Sequence, residues 1–266
     1  MNAWRLTACD VVKEFPGERG QKTRALDELS FEIAAGDWIM VVGPNGSGKS
    51  TLLNLLAGRF RPDSGSVTLE QDGRKTDWHA LSAMERTRYF AYIHQDPRAG
   101  SFPHLTVAEN LRMASLSSSR LWRRAIDRDF DAEAAARLNS AGLADKLHAP
   151  VAELSQGQRQ MVALQTAMLR RPCLLLADEH TASLDQANAN QCLNMTTQLW
   201  QERGASVVMI THNPVIAQQY GTRLLALQAG RITAEMGGGD KAALSLDRML
   251  ALCGMGAADV PKSSRV

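Results

Sequence analysis

One stretch constrains the fold more than any other: the apolar run Trp38-Ile-Met-Val-Val42, then Gly43-Pro-Asn-Gly-Ser-Gly48-Lys49-Ser50, then Thr51-Leu-Leu-Asn-Leu-Leu-Ala-Gly58. Five consecutive apolar residues read as a strand buried on both faces, and the leucine spacing after Ser50 reads as a helix stopped by Gly58. The loop between them fits G-x-x-x-x-G-K-[ST], in the strand–loop–helix context that motif requires. Its chemistry is that of triphosphate binding. Gly43, Gly46 and Gly48, with Pro44, Asn45 and Ser47 between them, let backbone N–H groups converge on phosphate oxygens, and the helix N-terminus adds about half a positive charge. Lys49 reaches the β and γ phosphates, Ser50 can ligate Mg²⁺, and Thr51 can add an α-phosphate contact.

Around this loop the chain reads as α/β. Strands are expected near Leu6 to Val12 and Leu29 to Ile33, separated by the turn-rich PGERGQKT, as an antiparallel flap. Further strands are expected at Ser66 to Glu70, Tyr89 to His94, Cys173 to Ala177, Ser206 to Thr211, Leu224 to Gln228 and Arg231 to Ala234. Between His94 and Cys173 strand signals vanish, and helical patterns occupy Val107 to Ala114, Phe130 to Ala141 and Gln156 to Leu169. The pattern predicts one domain over 1–236, with an α/β core and flap from 1–94 and 173–236 and a helical insertion over 95–172. After it, GGGD at 237–240 reads as a linker, SLDRMLALC as a short helix and the remainder as a frayed tail. The serine run and arginines 120, 123, 124 and 128 read as a solvated loop within the insertion.

A second buried strand, Cys173-Leu-Leu-Leu-Ala177, ends in Asp178-Glu179, which sets two carboxylates at the C-terminal edge of the sheet, where α/β ligands bind. Asp178 is placed to hold the Mg²⁺ shell, and Glu179 to polarise the water that attacks a γ-phosphate. Ser155 and Gly157 open another helix, a second N-terminal anion site.

These segments occur in a recognisable order. GPNGSGKST, Gln95 in YIHQDP, Leu154-Ser155-Gln156-Gly157-Gln158, LLLADE, Ser183-Leu184-Asp185 and Ile210-Thr211-His212 together resemble the ATP-binding cassette ATPases from about residue 4 to 236. The resemblance implies a P-loop NTPase core with a mixed, mostly parallel sheet, an N-terminal antiparallel β flap and an inserted α-helical subdomain. It also implies roles: Phe15 stacks on adenine, Gln95 touches Mg²⁺ or water at the hinge of the helical lobe, and His212 bonds the γ-phosphate beside Glu179. Ser155, Gly157 and Gln158 face the phosphate held by a second subunit, with Asp185 in the adjoining D-loop, so that two ATP molecules are sandwiched in a dimer, expected to be a homodimer. Two departures stand out. Gln156 replaces the usual first signature glycine, which is tolerable if the backbone there needs no positive φ. His180 replaces the usual proline, and DEHTASLD is similar to the DEHTAALD of a bacterial importer branch that includes carriers of aromatic amino acids.

Composition fits this picture. The 266 residues carry 30 basic and 28 acidic side chains, and aromatics make up 5%, so neither the positive field nor the stacking surface of a nucleic-acid binder is present. Four scattered cysteines form no CxxC pair, which excludes a zinc-site spacing and fits a reducing compartment. The N-terminal MNAWRLTACD reads as a strand and not as a signal peptide, and no stretch could span hydrocarbon. The resemblance then implies a peripheral ATPase on the cytoplasmic side of the inner membrane. Its partners would be integral permease subunits and, for an importer, an extracytoplasmic solute-binding protein. A soluble cassette ATPase of iron–sulfur assembly is the alternative.

Overall fold

The computed structural model describes residues 4–17, 21–115, 130–139 and 141–255. The contacts divide the chain into two compact units, Met1–Phe90 with Cys173–Glu179 and Gly204–Val266, and Ala91–Pro172 with His180–Arg203.

The first unit holds two sheets. In one, β1 (Trp4–Pro16) pairs antiparallel with β2 (Lys22–Ala34) and β4 (Ser64–Gln71), and β5 (Arg74–Asp77) closes the edge, giving the order β2-β1-β4-β5. The flap is therefore longer than the apolar alternation suggested, and it recruits Ser64–Gln71. β5 was not expected, because Arg-Lys-Thr-Asp is exposed throughout and carries no apolar pattern. The available signal was Asp72-Gly73: both residues have positive φ, 51° and 76°, and they join the paired Gln71 and Arg74 in a two-residue hairpin.

The second sheet is built on β3 (Trp38–Val42), buried at every residue, with β8 (Ser206–Ile210) and β9 (Arg223–Gln228) parallel to it on either side. β7 (Leu174–Asp178) runs parallel to β8, and β10 (Arg231–Gly237) returns antiparallel along β9. Strands buried on both faces need near-continuous apolar sequence, as β3, β7 and β8 have. Helix α1 (Lys49–Leu56) follows β3 and inserts Leu52, Leu53, Leu55 and Leu56 into the core, while α2 (Ala83–Arg86) is a single capped turn. The GGGD segment is not a linker. Gly237 ends β10, and Gly238 starts a further short helix whose Lys241 is buried, its ammonium bonded to the carbonyls of Gln218, Tyr220 and Gly221. Tertiary capture of one lysine overrides the glycine run.

In the second unit, after β6 (Phe90–Ile93), helices α3 (Val107–Ser115), α4 (Phe130–Asn139), α5 (Gln156–Leu169) and α6 (Gln186–Arg203) pack together. Asn110 fixes the segment before α3: its Oδ1 accepts from the Phe102 N–H, and its Nδ2 donates to the carbonyls of Phe102, Leu105 and Thr106. Residues 180–203 group with these helices, whereas the sequence assigned all of 173–236 to the core. The serine run, the arginines at 120, 123, 124 and 128, and the tail from 256 lie outside the described residues.

Candidate nucleotide-binding site

The loop from Gly43 to Gly48 is shaped by close packing. Gly43 has φ 148°, and a Cβ there would lie 2.1 Å from the Leu227 carbonyl oxygen; at Gly48, with φ 103°, it would lie 2.4 Å from that of Ala25. Neither position admits a side chain. Gly48 is also the N-cap of α1 and supplies no side-chain bond, so no cap side chain occupies the amides of the first turn, the feature that suits them to phosphate. Lys49 is 5% exposed, and its Nζ donates to the carbonyls of Gly43 and Pro44, both at 2.8 Å, and to Ser47 Oγ at 3.5 Å. Burial lowers the Lys49 pKa, against the raising effect of the Glu179 and Asp178 carboxylates and of Cys253.

Those carboxylates stand at the end of β7. Asp178 is its last residue, and Glu179 comes next with φ 44°, a left-handed conformation that is uncommon outside glycine and aspartate-like residues. The Glu179 N–H donates to the Ile210 carbonyl at 3.2 Å, and its Oε1 lies 2.7 Å from His212 Nε2. The turn on the C-terminal side of His212 fixes its place. Asn213 caps α7 (Pro214–Gln219), its Oδ1 accepting from Val215 and Ile216, while its own N–H donates to Thr211 Oγ1. Lys49, Asp178, Glu179 and His212 thus converge on the C-terminal ends of three adjacent parallel strands. The described residues contain no group of three or more His, Cys, Asp or Glu able to hold a metal by themselves. Ser50 and Asp178 supply oxygen donors, which suits a hard cation completing its shell with phosphate oxygens and water.

Phe15 lies on β1 with 37% exposure, its ring packed edge-on to Phe60 at 5.5 Å between centroids and an interplanar angle of 87°. Lys13 Nζ sits 5.6 Å from the Phe15 centroid and 5.3 Å from that of Phe60. Sequence reasoning passed over Phe60, which lies beyond the Gly58 helix stop without periodicity to mark it.

In the second unit, Ser155 caps α5 in a reciprocal box: Gln158 N–H donates to Ser155 Oγ at 3.3 Å, and Ser155 N–H to Gln158 Oε1 at 2.9 Å. Gln156 occupies the first helical position without positive φ, and its Nε2 donates to Ser183 Oγ at 2.6 Å. A Cβ at Gly157 would lie 2.6 Å from Asn188 Cγ. Asn188 is fixed by Asp185, whose carboxylate accepts from the Asn188 N–H at 2.9 Å and from its Nδ2 at 2.6 Å; these bonds hold the Asp185 carboxyl below its ordinary range. Gln95, Asp96, Arg98, Gln156, Arg159 and Ser183 border a cleft of about 460 Å³. Asn188 was missed because it looks like any polar residue in a helix's first turn. His180 is 2% exposed; among the described residues its Nδ1 has no hydrogen-bond partner, its Nε2 lies 3.5 Å from Thr196 Oγ1, and burial pushes its pKa down to about 4.

Comparison with known proteins fits this geometry. Residues 26–182 match the ABC transporter family model. The chain is 34% identical over 243 residues to a tyrosine transport ATP-binding protein of Clostridioides difficile, covering 91% of this chain and 95% of that one. It is 32% identical over 212 residues to the lipoprotein-releasing system ATP-binding protein LolD of Hydrogenovibrio crunogenus, covering 80% and 89%. Among solved structures, a dimeric post-hydrolysis ATP-binding cassette bound to ADP and Pi superposes with a TM-score of 0.74 at 27% identity, covering 88% of this chain and 98% of the other. A phosphate loop on a buried parallel strand, carboxylates at the end of the strand next but one to it and this breadth of similarity lead to one conclusion: the chain belongs to the ABC transporter family as one of its ATP-binding, ATP-hydrolysing cassettes.

Proposed function

We propose that this cassette energises a membrane importer of a small solute of the amino-acid class, working as an ATP-sandwich homodimer docked on permease subunits at the cytoplasmic face of the inner membrane. The observation that carries the catalytic part is the 2.7 Å contact of Glu179 with His212 on the sheet edge that also bears Lys49. In this reading Gly43 to Thr51 cradle the phosphates, and Lys49 exchanges its loop carbonyls for phosphate oxygens. Phe15 offers a partly open ring to the adenine. Glu179 accepts the proton of the attacking water as the water oxygen bonds phosphorus and the bond to ADP breaks; His212 holds that carboxylate and the γ-phosphate in line. Ser50 and Asp178, with Gln95 in the role the family resemblance implies, would hold Mg²⁺, which would supply charge neutralisation on the phosphates. Ser155, Gly157 and Gln158, beside Asp185, complete the site of the partner copy, a reading supported by the dimeric state of the solved relative.

Import of an amino acid is supported by the tyrosine transport relative, and a solute-binding protein would then deliver the cargo outside the membrane. The lipoprotein-releasing relative supports a second reading, extraction or export. Among the described residues no helix is long and apolar enough to cross a membrane. The test is purification of the tagged cassette from native membranes, then reconstitution of its companions into liposomes with ATP on the cassette side. Labelled tyrosine should accumulate on that side, and Lys49→Ala should abolish it. Movement of cargo away from the cassette side would overturn import, and soluble iron–sulfur assembly partners would overturn transport altogether.

A further inference from the structure

The phosphate loop is enclosed from three directions. Leu227 meets Gly43, and Ala25 with Gly230 meets Gly48. The third contact comes from α9 (Leu246–Cys253), which comes after α8 (Gly238–Ala242) and lies outside the span matched by the family model. Ser245 caps α9 by accepting from the Arg248 N–H at 3.3 Å, and its buried residues Met249, Leu250 and Cys253 face the core. The helix closes at Gly254 with φ 75°, Met255 N–H donating to the Leu250 carbonyl at 2.9 Å. A Cβ on Gly254 would stand 2.6 Å from Pro44 Cβ and 2.9 Å from Pro44 Cα. Glycine is therefore required twice, for the left-handed closure and for the approach to the loop. Pro44 is also one of the two residues whose carbonyls hold Lys49.

The root of this segment is as firmly fixed as its tip. Lys241, 3% exposed, donates to three carbonyls at the end of α7, and Gln218 Nε2 on α7 donates back to Leu244 at 2.8 Å. Since α7 begins immediately after His212 and its cap, one strap runs from the helix beside the histidine to the loop carrying the lysine. The Cys253 thiol lies close enough to Lys49 to feel its charge, although burial dominates and pushes the thiol up to about 11.

We propose that α8 and α9 act as a brace on the phosphate loop, with Gly254 a positioning residue for ATP binding that never touches the nucleotide. The inference rests on Gly43 to Ser50 as the ATP site, and ATP binding by the unaltered protein tests that premise separately. The test compares Gly254→Ala with Gly73→Ala in the full chain. The two glycines have φ 75° and 76°, but nothing lies within 4 Å of a Cβ at Gly73, so the backbone penalty is shared and the loop contact is not. Binding of a fluorescent ATP analogue, steady-state hydrolysis and thermal melting are read together. Gly254→Ala should weaken ATP about tenfold and raise KM by a similar factor with kcat little changed, as expected for a displaced cradle. Gly73→Ala should lower the melting temperature alone. Equal ATP affinities in the two variants would overturn the proposal. If Gly254→Ala fails to fold, Lys241→Met, which frees the root and leaves Pro44 and Gly254 intact, is read the same way; ATP affinity unchanged from the parent would then overturn it.

Discussion

Replacing Glu179 with glutamine is the sharpest probe of the proposed chemistry, because the structure separates the groups that substitution removes from those it keeps. The amide oxygen can still accept from His212 Nε2 across the present 2.7 Å, so the histidine stays in place. The backbone at φ 44° is no more comfortable for glutamine than for glutamate, so the strain is unchanged. The Lys49 contacts with Gly43 and Pro44 do not involve the side chain. One negative charge and one proton acceptor disappear. Loss of a general base costs about 10²–10⁴ in rate, equivalent to about 2.7–5.4 kcal/mol of barrier at 1.36 kcal/mol per decade. Ground-state binding should move the other way, since a carboxylate that repels the γ-phosphate has gone. The expected outcome in single-turnover hydrolysis and size-exclusion chromatography at saturating ATP-Mg is turnover reduced at least a hundredfold, unreduced affinity and a trapped dimer. Hydrolysis within tenfold of the parent would refute Glu179 as the base, and a monomer at saturating nucleotide would refute the sandwich.

Two further outcomes test other parts of the site. His180 is buried with a folded pKa of about 4, against an ordinary value of 6.5. Its neutral form is the one the fold accepts, so its contribution is complete above pH 6.5 and lost as pH falls toward 4, by about 3 kcal/mol across that window. Urea denaturation of His180→Leu should therefore show a shallower loss of stability over this range than the parent, and identical slopes would contradict the assignment. Phe15→Ala removes the edge-on contact with Phe60 as well as the exposed ring. It should raise KM for ATP about tenfold with little change in kcat, whereas Phe15→Trp should retain affinity; an unchanged KM in Phe15→Ala would remove Phe15 from the adenine site.

Most of this site was legible because its residues sit where backbone periodicity changes. The apolar runs at Trp38–Val42, Leu174–Asp178 and Ser206–Ile210 announce buried parallel strands; Asp178, Glu179 and His212 lie at or just beyond strand ends, and Lys49 opens the helix after the glycine loop. The features that escaped the sequence depend on distant partners. Arg74–Asp77 is a strand only because Ser64–Gln71 offers it an edge, and Gly238–Ala242 is a helix only because Lys241 finds three carbonyls some twenty residues back. The grouping of 180–203 with the helical unit likewise reflects the packing of α5 on α6, which no local pattern encodes. Asn188 and Gly254 carry no composition signal at all; their meaning is steric, a missing Cβ against a specific neighbour.

The placement of β3 has a consequence for biosynthesis. Its flanking strands come from β8 and β9, and the bond that ties the start of β3 to β8, from Gly36 N–H to Ser206 Oγ, joins residues 170 positions apart. At about 5–20 residues per second, the ribosome delivers that distance in roughly 8–34 s. Through that interval the wholly apolar Trp38–Val42 segment has been made and neither neighbour has, while the helical insertion emerges and can settle on local contacts. The nascent phosphate loop thus depends on whatever shields an unpaired apolar strand on the ribosome, and the ATP site is assembled only after β8 and β9 have been made.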